Sequence, residues 1–231
     1  IEARKNNLEA LILTHAHEDH FGAIPYLWER LQVPVYGTAF TLALLRRKLS
    51  EARVDVSIPL YELHYNVDYQ FGPFSIELVS LTHSIPDPAA LVLRTDAGTV
   101  LHTGDWKFDI TPTLGNDTDR ARLKELGQEG IMALIGDSTN ALVEGRTPSE
   151  AVAQEGLTKV IAEAKHTVAV TLFASNVARI KSIIAAAQAN GRSVCVAGRA
   201  LQRTISAAKE VGYLRDIPDF VPETEVNLIP R

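Results

Sequence analysis

Short apolar runs bounded by turn residues alternate along the chain with longer stretches of helical period, the pattern of an α/β or α+β architecture. Residues 8–14 read as a buried strand, and 22–31 as a helix that tolerates Pro25 near its first turn. A second strand over 33–36 and a helix over 38–52 follow, the helix carrying a solvated cationic face at Arg46, Arg47 and Lys48. The period then changes to two. Residues 67–71 and 74–79 flank a Gly72-Pro73 turn and predict a hairpin; 90–95 and 99–103, joined around Asp96-Ala97-Gly98, predict another. From about Thr147 the texture shifts again: helices over 149–164, 176–190 and 201–211 alternate with continuous apolar strands over 167–173 and 193–197. That succession predicts a second module of parallel strands and helices. The boundary falls after the Gly145-Arg146-Thr147-Pro148 loop, dividing the chain into 1–146 and 147–231. The closing residues 217–231, rich in proline and acid, offer no further element, so the second module reads as truncated.

Composition narrows the class. With 231 residues, 46% apolar and 22% charged, the chain can bury a substantial core, which argues against disorder and against a disulfide-stapled miniprotein. Its apolar runs fall far short of the roughly 18 residues a membrane helix needs. The single cysteine, Cys195, lies between two valines, reads as a buried thiol and is compatible with a reducing, cytoplasmic compartment. The chain opens at Ile1 and has one methionine, Met132, so it reads as a fragment or a processed chain. A net charge of −5 at first speaks against a polyanionic partner, but it averages unlike regions. Residues 1–155 carry 13 basic and 22 acidic groups, while residues 156–215 carry 9 basic and 2 acidic. The excess of Lys and Arg thus lies in the second module, where it suits a nucleic acid.

The strongest chemical feature is Thr14-His15-Ala16-His17-Glu18-Asp19-His20, where the first strand runs into a helix. His15 and His17, two residues apart, project to one side of an extended segment, and Asp19 and His20 can point at a second position close by. Neutral imidazole and carboxylate are the ligand types of hydrolytic metal sites. His83, just past the strand 74–79, and Asp105, just past the strand 99–101, stand at strand ends where loops carry function; Gly104 allows close backbone approach there. Together these residues form the ordered series that a two-metal site requires.

That series resembles the metallo-β-lactamase superfamily. Ile24-Pro25-Tyr26-Leu27, His83-Ser84-Ile85-Pro86-Asp87, Thr103-Gly104-Asp105-Trp106-Lys107-Phe108-Asp109 and Gly136-Asp137-Ser138-Thr139-Asn140-Ala141 narrow it to the ribonuclease J family, in the β-CASP branch of nucleic-acid-processing metallo-hydrolases. The resemblance runs from Leu8 to about Arg203. It implies a metallo-β-lactamase αββα sandwich, incomplete at its N-terminal side, followed by a partial β-CASP α/β domain. It implies His15, His17 and His83 on one Zn²⁺, Asp19 and His20 on the other, and Asp105 bridging both, with Mn²⁺ or Mg²⁺ as substitutes. Two cations about 3.5–4 Å apart activate a shared water and clamp the attacking and leaving oxygens at phosphorus. Asp19 is a candidate to orient that water. Glu18, Thr14 and Thr103 are candidates to fix the imidazole tautomers.

The implied activity is a zinc-dependent ribonuclease, endonucleolytic and 5′-to-3′ exonucleolytic, in bacterial RNA maturation and decay. Its partner is single-stranded RNA with a 5′-monophosphate end, and the full-length protein would be a homodimer or homotetramer. Two departures count against the chain as it stands: the upstream segment of the fold is missing, and so are two late histidines. In the family a final histidine ligand and a histidine that assists the leaving group follow the β-CASP insert, and this chain has none after His166. Weak or absent activity is therefore expected of it alone. Asp137 is either the acidic partner of one of those histidines or a turn aspartate.

In the second module Ser175 or Asn176 caps a helix whose free N–H groups attract anions, and Arg199, beside Gly198, offers a phosphate fork. Both loops are expected at the carboxyl ends of neighbouring parallel strands. His102, at a strand end before Asp105, is expected to be structural or to support the ligands and to stay out of the ligand set; His64 and His166 are surface residues. Tyr26/Trp28 and Trp106/Phe108 are either core or base-stacking pairs. Two other functions share parts of this pattern. A glyoxalase II-like thioester hydrolase has the first motif but does not call for the second module, and a non-catalytic RNA-binding subunit keeps the fold without the chemistry.

Overall fold

A computed structural model describes residues 2–52 and 57–228. A 3₁₀ segment at Glu2–Asn7 leads into β1 (Leu11–Ile12), α1 (Glu18–Phe21), α2 (Ile24–Leu31), β2 (Val35–Gly37), α3 (Ala39–Glu51) and β3 (Leu60–Glu62). Strands β1, β2 and β3 pair in parallel, in that order, as a small sheet. The predicted first strand is thus cut to two residues, because only Leu11 and Ile12 find ladder partners in β2. The helix expected over 22–31 begins at Ile24, and a separate turn of helix, α1, precedes it.

Both predicted hairpins form. β4 (Asp68–Phe71) and β5 (Phe74–Ser80) meet at Gly72-Pro73, with Phe71 opposite Phe74 and Gly72 at φ +52°. β6 (Ala89–Thr95) and β7 (Gly98–His102) turn at Asp96-Ala97. After α4 (Arg120–Glu129), β8 (Ala133–Ile135) joins the far edge of this five-stranded sheet, parallel to β7.

The alternation of side chains builds the layers. Ile76, Leu78 and Leu91 face the small sheet through Ile12 and Tyr36, whereas Val79, Ala90 and Val92 face α4 through Leu123 and Leu126. Residues 89–92 read as an unbroken apolar run because both faces of β6 are covered. On its other side the small sheet packs Leu13 and Val35 against Phe40, Ala43 and Leu45 of α3. The order is helix, sheet, sheet, helix, the αββα sandwich.

The second part contributes α5 (Glu150–Glu163), α6 (Val177–Ala189) and α7 (Arg199–Glu210). Ile180, Ile184, Ile205, Ala207 and Ala208 join the core built on α3, and Arg47 of α3 binds Ser206 and Glu210 of α7. The strands expected over 167–173 and 193–197 do not form among the described residues. An apolar segment becomes a strand only when a neighbour completes its ladder, and here the one bridge is Cys195 to Val221. Phe173 is left exposed, and the Cys195 thiol is half-buried. No described helix is long and apolar enough to cross a membrane.

One buried charge fastens α4 to the sheet. Glu77, only 4% exposed, shares the face of Val79 and accepts from Arg122 of α4 at 2.6 and 3.0 Å and from Arg94 of β6 at 2.6 Å. The Arg122 hydrogen bonds, more than offsetting burial, hold its carboxyl below the ordinary carboxylate range. A group whose folded pKa is depressed contributes stability above its unfolded pKa and loses it as pH falls through the folded one. Glu77→Gln is therefore expected to cost about 2 kcal/mol at pH 7, the scale of a charged hydrogen bond. In urea unfolding the gap from wild type should narrow as pH drops below about 4.5; an equal gap across that range contradicts the assignment.

Candidate metal centre

The site sits on one rim of the sandwich. β5 and β7 both run antiparallel to β6, so their carboxyl ends, Ser80 and His102, emerge on the same side. The loop after β1 is tied to that rim by the Ala89 N–H, which donates to the Thr14 carbonyl at 2.9 Å. Each of these three loops brings part of the cluster.

From the first loop come His15, fully buried, and His17, which stands in extended conformation at the N-terminus of α1. Asp19 and His20 lie within α1 and are more exposed. The loop after β5 brings His83, and the loop after β7 brings Asp105. His17 Nδ1 is 3.1 Å from both His15 Nε2 and His83 Nε2. Asp105 Oδ2 is 3.8 Å from each of those two Nε2 atoms, while its Oδ1 faces His20 Nε2 at 3.3 Å. His20 Nε2 also lies 3.6 Å from Asp19 Oδ2. Two groups result, His15-His17-His83-Asp105 and Asp19-His20-Asp105, and they share Asp105.

The donor set fits a cation. Ligand atoms roughly 2.0–2.1 Å from a tetrahedral zinc lie about 3.3–3.4 Å apart, between the 3.1 and 3.8 Å separations found in the first group. Burial, with His20 as the next cause, pushes the His15 imidazole down to about 2. Burial and the neighbouring His17 push His83 down to about 4. Burial also lowers His17, against the opposing pull of Asp19 and Asp105. All three imidazoles are therefore neutral at pH 7, the form that binds a metal. Three neutral imidazoles and a carboxylate converge with more lone pairs than protons to share.

Supporting contacts hold the ligands in place. Thr14 Oγ1 lies 3.0 Å from His15 Nδ1, which leaves Nε2 for the cluster. Glu18, a second candidate for such support, instead pairs with Lys48 of α3. Thr103, the third, donates through Oγ1 to the Gly104 carbonyl at 2.6 Å and accepts the Asp137 N–H at 3.2 Å. His102 Nδ1 accepts the Gly104 N–H at 2.9 Å and so shapes the turn that presents Asp105. Asp137 closes a turn, its Oδ1 accepting from the Thr139 hydroxyl at 2.6 Å and N–H at 2.9 Å; those bonds lower its pKa.

The remaining residues singled out in the sequence fall elsewhere. Asn176 caps α6, its Oδ1 accepting the Arg179 N–H at 2.9 Å, and it lines a cavity that also reaches His83. Ser175 is half-buried in the turn just before it. Arg199 opens α7 with its side chain exposed. The paired strand ends expected beneath these loops are absent among the described residues. Trp28 is anchored by its indole N–H to the Val33 carbonyl at 2.7 Å, and Trp106 packs into the cluster around Leu126, while Tyr26 and Phe108 are exposed. His64 and His166 are exposed.

Comparisons with known proteins show the family. Residues 1–143 match the family model of the metallo-beta-lactamase superfamily, and residues 165–231 match that of the ribonuclease J beta-CASP domain. A ribonuclease J of Sinorhizobium meliloti is 46% identical over 99% of this chain and 40% of its own length. Ribonuclease J2 of Bacillus subtilis is 37% identical over 99% of the chain and 41% of its length, and a ribonuclease J of Mycobacterium tuberculosis 43% over 93% and 38%. The chain spans about two fifths of the length of these relatives. A solved structure of a protein of unknown function from Enterococcus faecalis shares the fold, with a TM-score of 0.63 at 19% identity, covering 93% of this chain and 55% of that one.

Gly104 gives a direct test of the geometry. At φ +58° it occupies the left-handed region, and a β-carbon there would stand 3.0 Å from both Cβ and Oγ1 of Thr14. Gly104→Ala must push the Asp105 turn off Thr14 or strain the backbone, at a cost of about 1–3 kcal/mol. The expected result is a loss of bound divalent metal, measured by elemental analysis of the purified protein, that exceeds the loss in Gly130→Ala, whose added β-carbon meets nothing within 4 Å at φ +98°. Equal metal content in the two variants would count against the arrangement described.

Proposed function

We propose, from the premise that the chain belongs to the ribonuclease J family of the metallo-β-lactamase superfamily, that it carries most of the metal centre of a ribonuclease that hydrolyses RNA phosphodiester bonds. The observation that carries this reading is the pair of ligand groups sharing Asp105. His15, His17, His83 and Asp105 would hold one divalent cation and Asp19, His20 and Asp105 another. Zn²⁺ suits both groups, each of which offers imidazole and carboxylate, with Mn²⁺ or Mg²⁺ as substitutes. When bound, such ions supply Lewis acidity toward a water and toward the oxygens at phosphorus.

The chain's own residues supply the rest. Asp105 sets the spacing of the two groups, and Thr14 keeps His15 Nε2 directed inward. Asp19, with its carboxylate exposed at the mouth, accepts a hydrogen bond from the attacking water. Asp137 pairs with one of the two histidines, a metal ligand and a leaving-group acid, that the family resemblance calls for and that these 231 residues do not include. We place the division between the metallo-β-lactamase and β-CASP parts at residues 146 and 147. Ser175, Asn176 and Arg199 of the second part hold backbone phosphates. The Asn176 Oδ1 is spent on α6, which leaves its amide N–H₂ to donate. The basic excess of residues 156–215 supports this face as the one RNA meets. The substrate is single-stranded RNA, entered at a 5′-monophosphate end and also cut internally, in the bacterial cytoplasm, by a homodimer or homotetramer of the full-length protein.

Full-length protein incubated with 5′-monophosphorylated RNA should release nucleotides, and a chelator should stop it. Asp105→Ala should remove metal and activity together, by more than the roughly 100-fold that follows loss of a metal ligand's supporting partner. Cleavage of a thioester such as S-lactoylglutathione in place of RNA, or undiminished RNA cleavage by Asp105→Ala, would overturn the reading.

A further inference from the structure

Two carboxylates that take no part in the cluster stand four residues downstream of its ligands: Asp87 after His83, and Asp109 after Asp105. Each caps a helix from outside. Asp87 Oδ2 accepts the Phe40 N–H at 3.2 Å in the first turn of α3. The N-cap residue of that helix, Thr38, makes no side-chain cap of its own and donates instead to the Asp87 carbonyl at 3.2 Å. Asp109 Oδ2 accepts the N–H of Glu150, the first residue of α5, at 2.8 Å, and its Oδ1 accepts the Thr111 N–H at 3.0 Å. A carboxylate at a helix N-terminus is favoured by the free N–H groups and the helix dipole.

Each carboxylate also reaches the second module. The Tyr213 hydroxyl, just past the end of α7, donates to Asp87 Oδ1. Glu150, bound through its backbone to Asp109, grips Arg179 of α6 with both carboxylate oxygens, at 2.6 and 3.2 Å. Asp87 is held at φ +55°, a left-handed conformation that persists where surrounding bonds over-determine it. Thr82, beside His83, accepts the Asp109 N–H at 3.1 Å and donates to the Lys107 carbonyl, so the two ligand loops form one frame. Both anchors and His83 line a single cavity.

We propose that Asp87 and Asp109 are positioning residues through which the docking of the second module, by way of Tyr213 and Glu150, sets His83 and Asp105 in place. The affinity of the centre for its ion then depends on side chains that never touch the ion. This rests on the metal-centre reading above and extends it to regulation by module docking.

The test uses metal-free full-length protein titrated with Co²⁺ and followed by visible absorption, with thermal unfolding measured in parallel. Tyr213→Phe removes one hydroxyl and is expected to weaken Co²⁺ affinity about tenfold and to change the absorption of the bound ion; Glu150→Gln is expected to do the same. Glu77→Gln, whose hydrogen bonds run to Arg94 and Arg122 and not to either loop, should lower the unfolding temperature and leave Co²⁺ affinity unchanged. On RNA, Tyr213→Phe should lower kcat with KM preserved. Wild-type affinity and spectrum in Tyr213→Phe overturn the proposal, and that variant decides alone if Glu150→Gln does not fold. A wild type that binds Co²⁺ tightly, with the variants weakened, but cuts no RNA overturns the ribonuclease reading and supports the anchors. A wild type that binds no Co²⁺ overturns both.

Discussion

Asp105 is a single carboxylate whose two oxygens face different histidine groups, Oδ2 toward His15 and His83 and Oδ1 toward His20. Much of the structure serves to keep it there. Its turn depends on Gly104 at positive φ, on the close approach of that glycine to Thr14 and on the His102 ring accepting the Gly104 N–H. The turn in turn depends on β7 ending at the same rim as β5, which follows from the antiparallel meander. Moving any of these by an ångström would separate the two ligand groups, because they have no other residue in common.

Burial makes the site chemically ready and costly at once. Neutral imidazoles are the only form that the buried position of His15 permits near pH 7, and neutrality is what a metal ligand needs. The converging lone pairs repel unless a cation lies among them. The scaffold offsets that repulsion with apolar packing on both sides of β6 and with polar pins that cross between layers, such as Glu77 to Arg122. The same device recurs at Asp87 and Asp109, where carboxylates cap α3 and α5 from outside, and Asp87 also accepts from Tyr213 beyond α7.

The two modules are not independent bodies in energetic terms. Helices α6 and α7 share one apolar core with α3 and the small sheet, and the ion pairs of Arg47 and Arg203 with Glu210 and Glu51 run between α3 and α7. A change that loosens this junction should be felt at the rim, since Tyr213 belongs to both the shared core and the hydrogen-bond frame of the His83 loop.

Much of this was legible in the chain of residues alone. Period-two alternation marked the first hairpin and Gly72-Pro73 its turn, apolar runs flanking Asp96-Ala97-Gly98 marked the second, and the His15-Ala-His17-Glu-Asp19-His20 run announced the cluster because so many ligand-type side chains in one loop have no ordinary core or surface explanation. Local pattern also placed His83 and Asp105 at strand ends, and it read Gly104 correctly as a point of close approach. It misjudged 167–173 and 193–197, since apolar continuity reports burial while a strand needs a partner that no local window contains. Which atoms meet was decided only in three dimensions: that Glu18 binds Lys48 while Thr14 supports His15, and that Asp87 caps α3 while Tyr213 holds it. Residue type and spacing determine what a side chain can do, but contacts between residues 47 and 126 positions apart exist only once sheets and helices have packed.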